Sequence, residues 1–141
     1  MFMEHLALTY KCHSSIGNSL DLKIMINEVI TTFVEDTNAK NGFFYLIDDE
    51  NRLYKYISYN DETPFDADNF KNNINKFNIS DIENDEKLLV LPLEKGIIFI
   101  IYENNTEINL EFIGSMFQDL IVKLNISIDA CLNVQRMKNK N

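Results

Sequence analysis

The chain has 141 residues, 45% of them hydrophobic, with four Gly and two Pro, which is the size and composition of one domain with a well-buried core. Its formal net charge of -9 argues against a nucleic-acid or anionic-membrane partner, because such a surface repels both. Cys12 and Cys131 stand too far apart for a CxxC pair, a zinc pattern or a disulfide framework, no apolar run approaches the roughly 20 residues needed to cross a bilayer, and the first residues lack the basic start and long apolar stretch of a signal peptide, so a cytoplasmic protein is expected.

Met3, Leu6, Ala7 and Tyr10 recur at spacings of three and four and predict a first helix over about 2–15, with these side chains as its apolar stripe. Gly17 and Asn18 interrupt it. A second helix opens at Ser19 or Asp21, either of which can cap exposed N–H groups, and runs to about Asn38. Leu22, Met25, Ile26, Val29, Ile30 and Phe33 share its core face, with Lys23, Asn27, Glu28 and Thr31 opposite. Phe43 to Ile47 is apolar at every position, as in a strand covered on both sides. After the turn Asp48–Asn51 a returning strand places Leu53, Lys55, Ile57 and Tyr59 on one face and Tyr54, Tyr56 and Ser58 on the other.

Residues 60–87 are acidic and Asn-rich, with a short helix expected from Asp66 to Lys76. Leu88 to Leu93 predicts a third strand, limited at its end by Pro92, and Ile97 to Tyr102 a fourth after the turn at Gly96. From Glu107 to about Lys138 there is no Pro and only Gly114, which predicts one exit helix. At about 1.5 Å per residue it would reach on the order of 45 Å, longer than such a domain is wide, so part of it should project or pair. Ile113, Phe117, Leu120, Leu124, Ile128 and Cys131 form its candidate dimer seam, continued by Val134.

The order helix, strand, strand, helical insert, strand, strand, long helix, joined to the Ser19-Leu20-Asp21-Leu22 opening and the hairpin from Gly42 to Tyr59, resembles a GAF domain. The likeness covers about residues 19–135, with an N-terminal helix over 1–18 before it and a basic tail over 136–141 after it. It implies an α+β fold: a central antiparallel sheet with the terminal helices on one face and the short insert, with a ligand pocket, on the other. It also implies a non-catalytic sensory or regulatory input domain that dimerises through its terminal helices. Such a domain passes small-molecule or conformational signals to an attached output domain, as in a histidine kinase of a two-component system or a related signalling protein. The pocket this geometry suggests is lined by Tyr45, Tyr56, Ser58, Phe70, Ile74, Phe77, Ile98 and Ile100, whose tyrosines suit a small aromatic or heterocyclic ligand. No cofactor is indicated, and a structural dimerisation module with an empty pocket, or a PAS-like sensor fold, are the competing readings.

Other chemistry is weakly supported. His5, Cys12 and His13 share one helix side at two-turn offsets but lack a fourth ligand, so no metal site is assigned. Methionine sulfoxide reduction needs cysteines beside the pocket, whereas both belong to terminal helices. Asp81, Glu83 and Asp85 alternate as in a calcium loop, but Glu86 stands where the turn demands Gly. Asn75-Lys76-Phe77 and Asp85-Glu86 use the residue types of the cyclic-nucleotide subgroup at the wrong spacings. No catalytic residue is assigned.

Overall fold

The computed structural model describes residues 2–62 and 64–139. Two helices, α1 (Phe2–Ser14) and α2 (Leu22–Asp36), lead into β1 (Asn41–Ile47) and β2 (Leu53–Ser58). A 3-10 helix (Ala67–Asn73) precedes β3 (Asn78–Ile82), β4 (Glu86–Pro92) and β5 (Gly96–Glu103), and α3 (Leu110–Asp119) and α4 (Ile121–Asn139) follow. The strands make one antiparallel sheet in the order β2-β1-β5-β4-β3. Helices from both ends of the chain cover one face, and the 3-10 insert covers the other.

Side-chain alternation along the central strands divides the core in two. Phe44, Leu46, Ile98, Ile100 and Tyr102 point to the helices, where they meet Met25, Ile26, Val29, Ile30 and Phe33 of α2. Phe43, Tyr45, Ile97, Phe99 and Ile101 point to the insert. Both faces of β1 and β5 are therefore buried, which is why these strands are apolar at nearly every position.

Strict alternation fails in β2. The ladder pairs Phe44 with Ile57 but Tyr45 with Lys55, so Tyr56 is an extra residue in a bulge. Leu53 and Lys55 lie on the insert side, while Ile57 crosses to the helix side and Ser58, opposite Phe43, to the insert side. β3 is a fifth strand inside the stretch 60–87, where only a short helix is expected. It is an edge strand with Asn78, Ser80 and Asp81 among its five residues, so its apolar content is too low to announce it.

The single exit helix is corrected to two. Asn109 caps α3 by accepting from Phe112 N at 3.0 Å, and the chain turns at Leu120, whose N–H donates to Phe117 O. A strand of eight residues spans about 26 Å, so a straight helix of on the order of 45 Å would carry one half of its apolar stripe past the sheet. The bend lets both halves bury. Ile113, Phe117, Leu120, Leu124, Ile128 and Cys131, expected as a dimer seam, are between 0% and 4% exposed within this one chain. Phe117 stacks on Phe33 of α2 with centroids 4.4 Å apart.

The apolar stripe of α1 is left uncovered. Met3 (73% exposed), Leu6 (54%) and Tyr10 (72%) face outward with Ala7, while Cys12 and the following Ile16 enter the core. Asp21 is the α2 cap, accepting from Ile24 N at 3.1 Å, and Ser19 supports it by accepting from Asp21 N at 3.0 Å. The connection between α1 and α2 passes close to α4. Gly17 has φ +85°, and a Cβ there would stand 2.9 Å from Ser127 Oγ, so this close approach needs a glycine.

Candidate functional site

On the insert face, Asp66 opens the 3-10 helix by accepting from Asp68 N at 3.0 Å, which fixes the neighbouring Phe65 over the sheet. The Phe65 ring stacks on Phe43 at 4.6 Å and on Phe70 at 5.4 Å, and meets Phe99 at 5.1 Å and the edge of Tyr45 at 6.2 Å. Burial pushes the Tyr45 pKa up, the nearby backbone of Ala67 opposes the rise, and Asp66 and Asp68 add to it. A cleft of about 790 Å³ opens beside β2, and another of about 670 Å³ beside β3 and β4. Pro64, Phe65, Asp66 and Asn69 wall both.

The residues expected to line one pocket are divided by the sheet. Tyr45, Phe70 and Ile74 lie on the insert face, with Ser58 beside them bonded to Asp61 at 2.6 Å. Ile98 and Ile100 face the helices and are fully buried there, with Phe77 packed against the same cluster; Tyr56, at the bulge, packs on that cluster too and also borders the cleft beside β2 with Ser58. Phe77 fits against α3 only because position 114 is glycine: a Cβ would stand 2.7 Å from its ring. One slip of strand parity accounts for the error at Ile98 and Ile100, since Ile97, Phe99 and Ile101 occupy the insert side. Phe65 was the residue that sequence reasoning missed, although it follows Pro64 directly ahead of the Asp66 cap.

On the other face, a set of contacts ties α4 to the rest of the molecule. Lys123 Nζ donates to His13 O at 2.6 Å, and Cys131 Sγ donates to Ser19 O at 3.4 Å. The outward side of this layer is apolar: Val122 is 69% exposed and Ile126 65%. His5, Cys12 and His13 do not converge. His5 stacks on Phe112 at 3.9 Å, His13 lies beside Lys123, and Cys12 is in the core. Burial, then the nearby Asp36, pushes the Cys12 thiol up to about 12, and burial also raises Cys131, so both stay neutral and poorly nucleophilic. Asp81, Glu83 and Asp85 belong to the β3–β4 hairpin; Asp81 pairs with Lys87 at 2.6 Å, and Asn84 and Asp85 have φ of 66° and 56°, a turn conformation.

This topology is the GAF fold. The crystal structure of the GAF domain from Acinetobacter phosphoenolpyruvate-protein phosphotransferase superposes with a TM-score of 0.69 at 14% identity, over 92% of this chain and 95% of that one. No family model matches the sequence, and no curated protein matches it either. Among the described residues, no helix is long and apolar enough to cross a membrane.

Proposed function

We propose that this chain is a regulatory input domain that signals to an attached output domain through its helix layer, as a homodimer paired by the outward faces of α1 and α4. One observation carries the reading. Of the ten large hydrophobic side chains that are exposed among the described residues, Met3, Leu6 and Tyr10 lie on α1, Val122, Ile126 and Met137 on α4, and Leu20 and Ile24 at the start of α2. Eight of ten thus sit on one layer, and concentrated exposed apolar surface marks an interaction site. The solved protein of similar fold is itself described as a domain of a larger phosphotransferase, which supports the attachment.

A signal reaches the output only if it favours one helix packing over another. α4 suits that task because it touches the end of α1 through Lys123 and the α1–α2 connection through Cys131. A change at α1 or in the α1–α2 connection therefore alters the exit direction of the chain.

Light scattering over a concentration series tests the pairing. The wild type is expected at dimer mass, and a Leu6→Asp, Ile126→Asp variant at monomer mass with unchanged circular dichroism, because both positions are exposed and support no core contact. A wild type that stays monomeric throughout, or a variant that stays dimeric, contradicts it. The second reading, a dimerisation module that binds no ligand, has its own support in Phe65, which fills the centre of the insert face.

A further inference from the structure

We infer that Phe65 is a displaceable plug: its ring occupies a stacking slot on the insert face that admits a planar aromatic carrying a cationic amine. The inference rests on the regulatory-domain reading and adds the ligand class and the gate.

Three features of the insert face lead there. Phe65 is held mainly by ring contacts, lying at 10° to Phe43 and 11° to Phe70, so a flat ring could take its place between the same two neighbours. It is only partly buried, while the floor beneath it, Phe43, Tyr45 and Phe99, is between 0% and 7% exposed. The clefts on either side share it as a wall with Pro64, Asp66 and Asn69, and its ring is the part of that partition that covers the aromatic floor, so rotating it outward opens the floor to both clefts. The volumes fall in the range of small-molecule sites.

The rim selects for charge. Asp61 and Asp66 border the cleft beside β2, against a single cation, Lys55, which lies 3.8 Å from Asp61. Asp66, Asp81, Glu83 and Glu86 border the other. Lys87 neutralises Asp81, and Lys40 neutralises the buried Glu86. Asp66 and Glu83 have no cation within ion-pair distance among the described residues, which leaves negative potential at the groove for an ammonium group on the ring. An aromatic floor adds attraction for the same charge.

Because the chain competes with the ligand for its own slot, the apparent affinity is the intrinsic one reduced by the fraction of molecules with Phe65 displaced. Tryptamine is a direct probe, since the protein has no Trp and the indole emission reports only the added compound. Phe65→Ala should bind tryptamine at least about tenfold more tightly than the wild type, neutral indole should gain less, and indole-3-acetate should gain nothing. Leu89→Ala, which opens a hole on the helix face, should bind as the wild type does. Equal affinity in wild type and Phe65→Ala, or the same gain in Leu89→Ala, overturns the inference. Phe65→Leu removes the stacked ring but keeps apolar bulk at the position, which safeguards against a folding failure: a smaller gain in the same direction supports the plug, and wild-type affinity overturns it. Light scattering on the same proteins reads the helix pairing separately, so loss of the dimer with retained tryptamine binding would remove only the regulatory reading.

Discussion

Phe117→Ala should lower the unfolding free energy by about 3–5 kcal/mol, measured by urea or guanidinium denaturation. The ring is fully buried and stacked on the equally buried Phe33, so its loss leaves a cavity between α3 and α2 that neither rigid helix can close. Against a total stability of roughly 5–15 kcal/mol for a domain, the variant should be marginal at room temperature. The size of the effect decides what the residue does. A residue on an interface between copies would change the association constant and leave the folded monomer nearly as stable as before. A residue inside one chain lowers stability at every protein concentration, including where the protein is monomeric. The second outcome is expected for Phe117, and for Leu124 and Ile128 on α4, which are as deeply buried.

Gly96→Ala should destabilise by about 1–3 kcal/mol, a large effect for one methyl group. Gly96 lies opposite Leu46 at the start of β5, and its carbonyl accepts from Leu93 N at 2.8 Å to close the β4–β5 turn. A Cβ there would stand 2.6 Å from Tyr45 O and 2.7 Å from two atoms of the Phe44 ring. Neither obstacle is the free end of a flexible chain. One is backbone inside the central ladder, and the other is a ring fixed in the core. Relief must therefore come from displacing β5 relative to β1, the pair at the centre of the sheet. Thermal unfolding checks this, and an unchanged midpoint would show that the strands have slack at this point.

The elements that could be read from sequence are those in which composition and position agree. α2 combines an Asp21 cap with an apolar face that is buried at every predicted position. β1 and β5 are apolar throughout because both of their faces are covered. With the turn residues, these patterns are sufficient for four of the five strands and for the resemblance. The misread features are those fixed by tertiary context. No local signal marks the turn at Leu120, which has neither Gly nor Pro and exists because the sheet is shorter than the apolar run. The stripes of α1 and α4 show why periodicity says that a helix has an apolar face but not what covers it. The stripe of Met3, Leu6 and Tyr10 is exposed, whereas Leu124 and Ile128, read as a dimer seam, are core.

The candidate pocket residues are divided between the two faces for a related reason. Apolar residues at consecutive positions of β5 give no indication of which face each one serves, and the bulge at Tyr56 resets the parity of β2. Tyr45, Phe70 and Ile74 were placed on the correct face, but the plug between them was not foreseen. Phe65 lies outside any regular element, and its ring contacts join positions 22 and 34 residues apart, a pairing that only the assembled sheet creates.

The central claim is that the outward faces of α1 and α4 are the surface through which this domain works. Site-directed cross-linking tests it most directly, because Cys12 and Cys131 are buried and leave the background low. Tyr10, Val122 and Ile126 are replaced by Cys one at a time and treated with a short bis-maleimide, with Tyr54→Cys on β2, 49% exposed, as the reference. The account predicts a covalent dimer from at least one of the three helix positions, well above the yield from position 54. Cross-linking at all three no greater than at position 54 would contradict it.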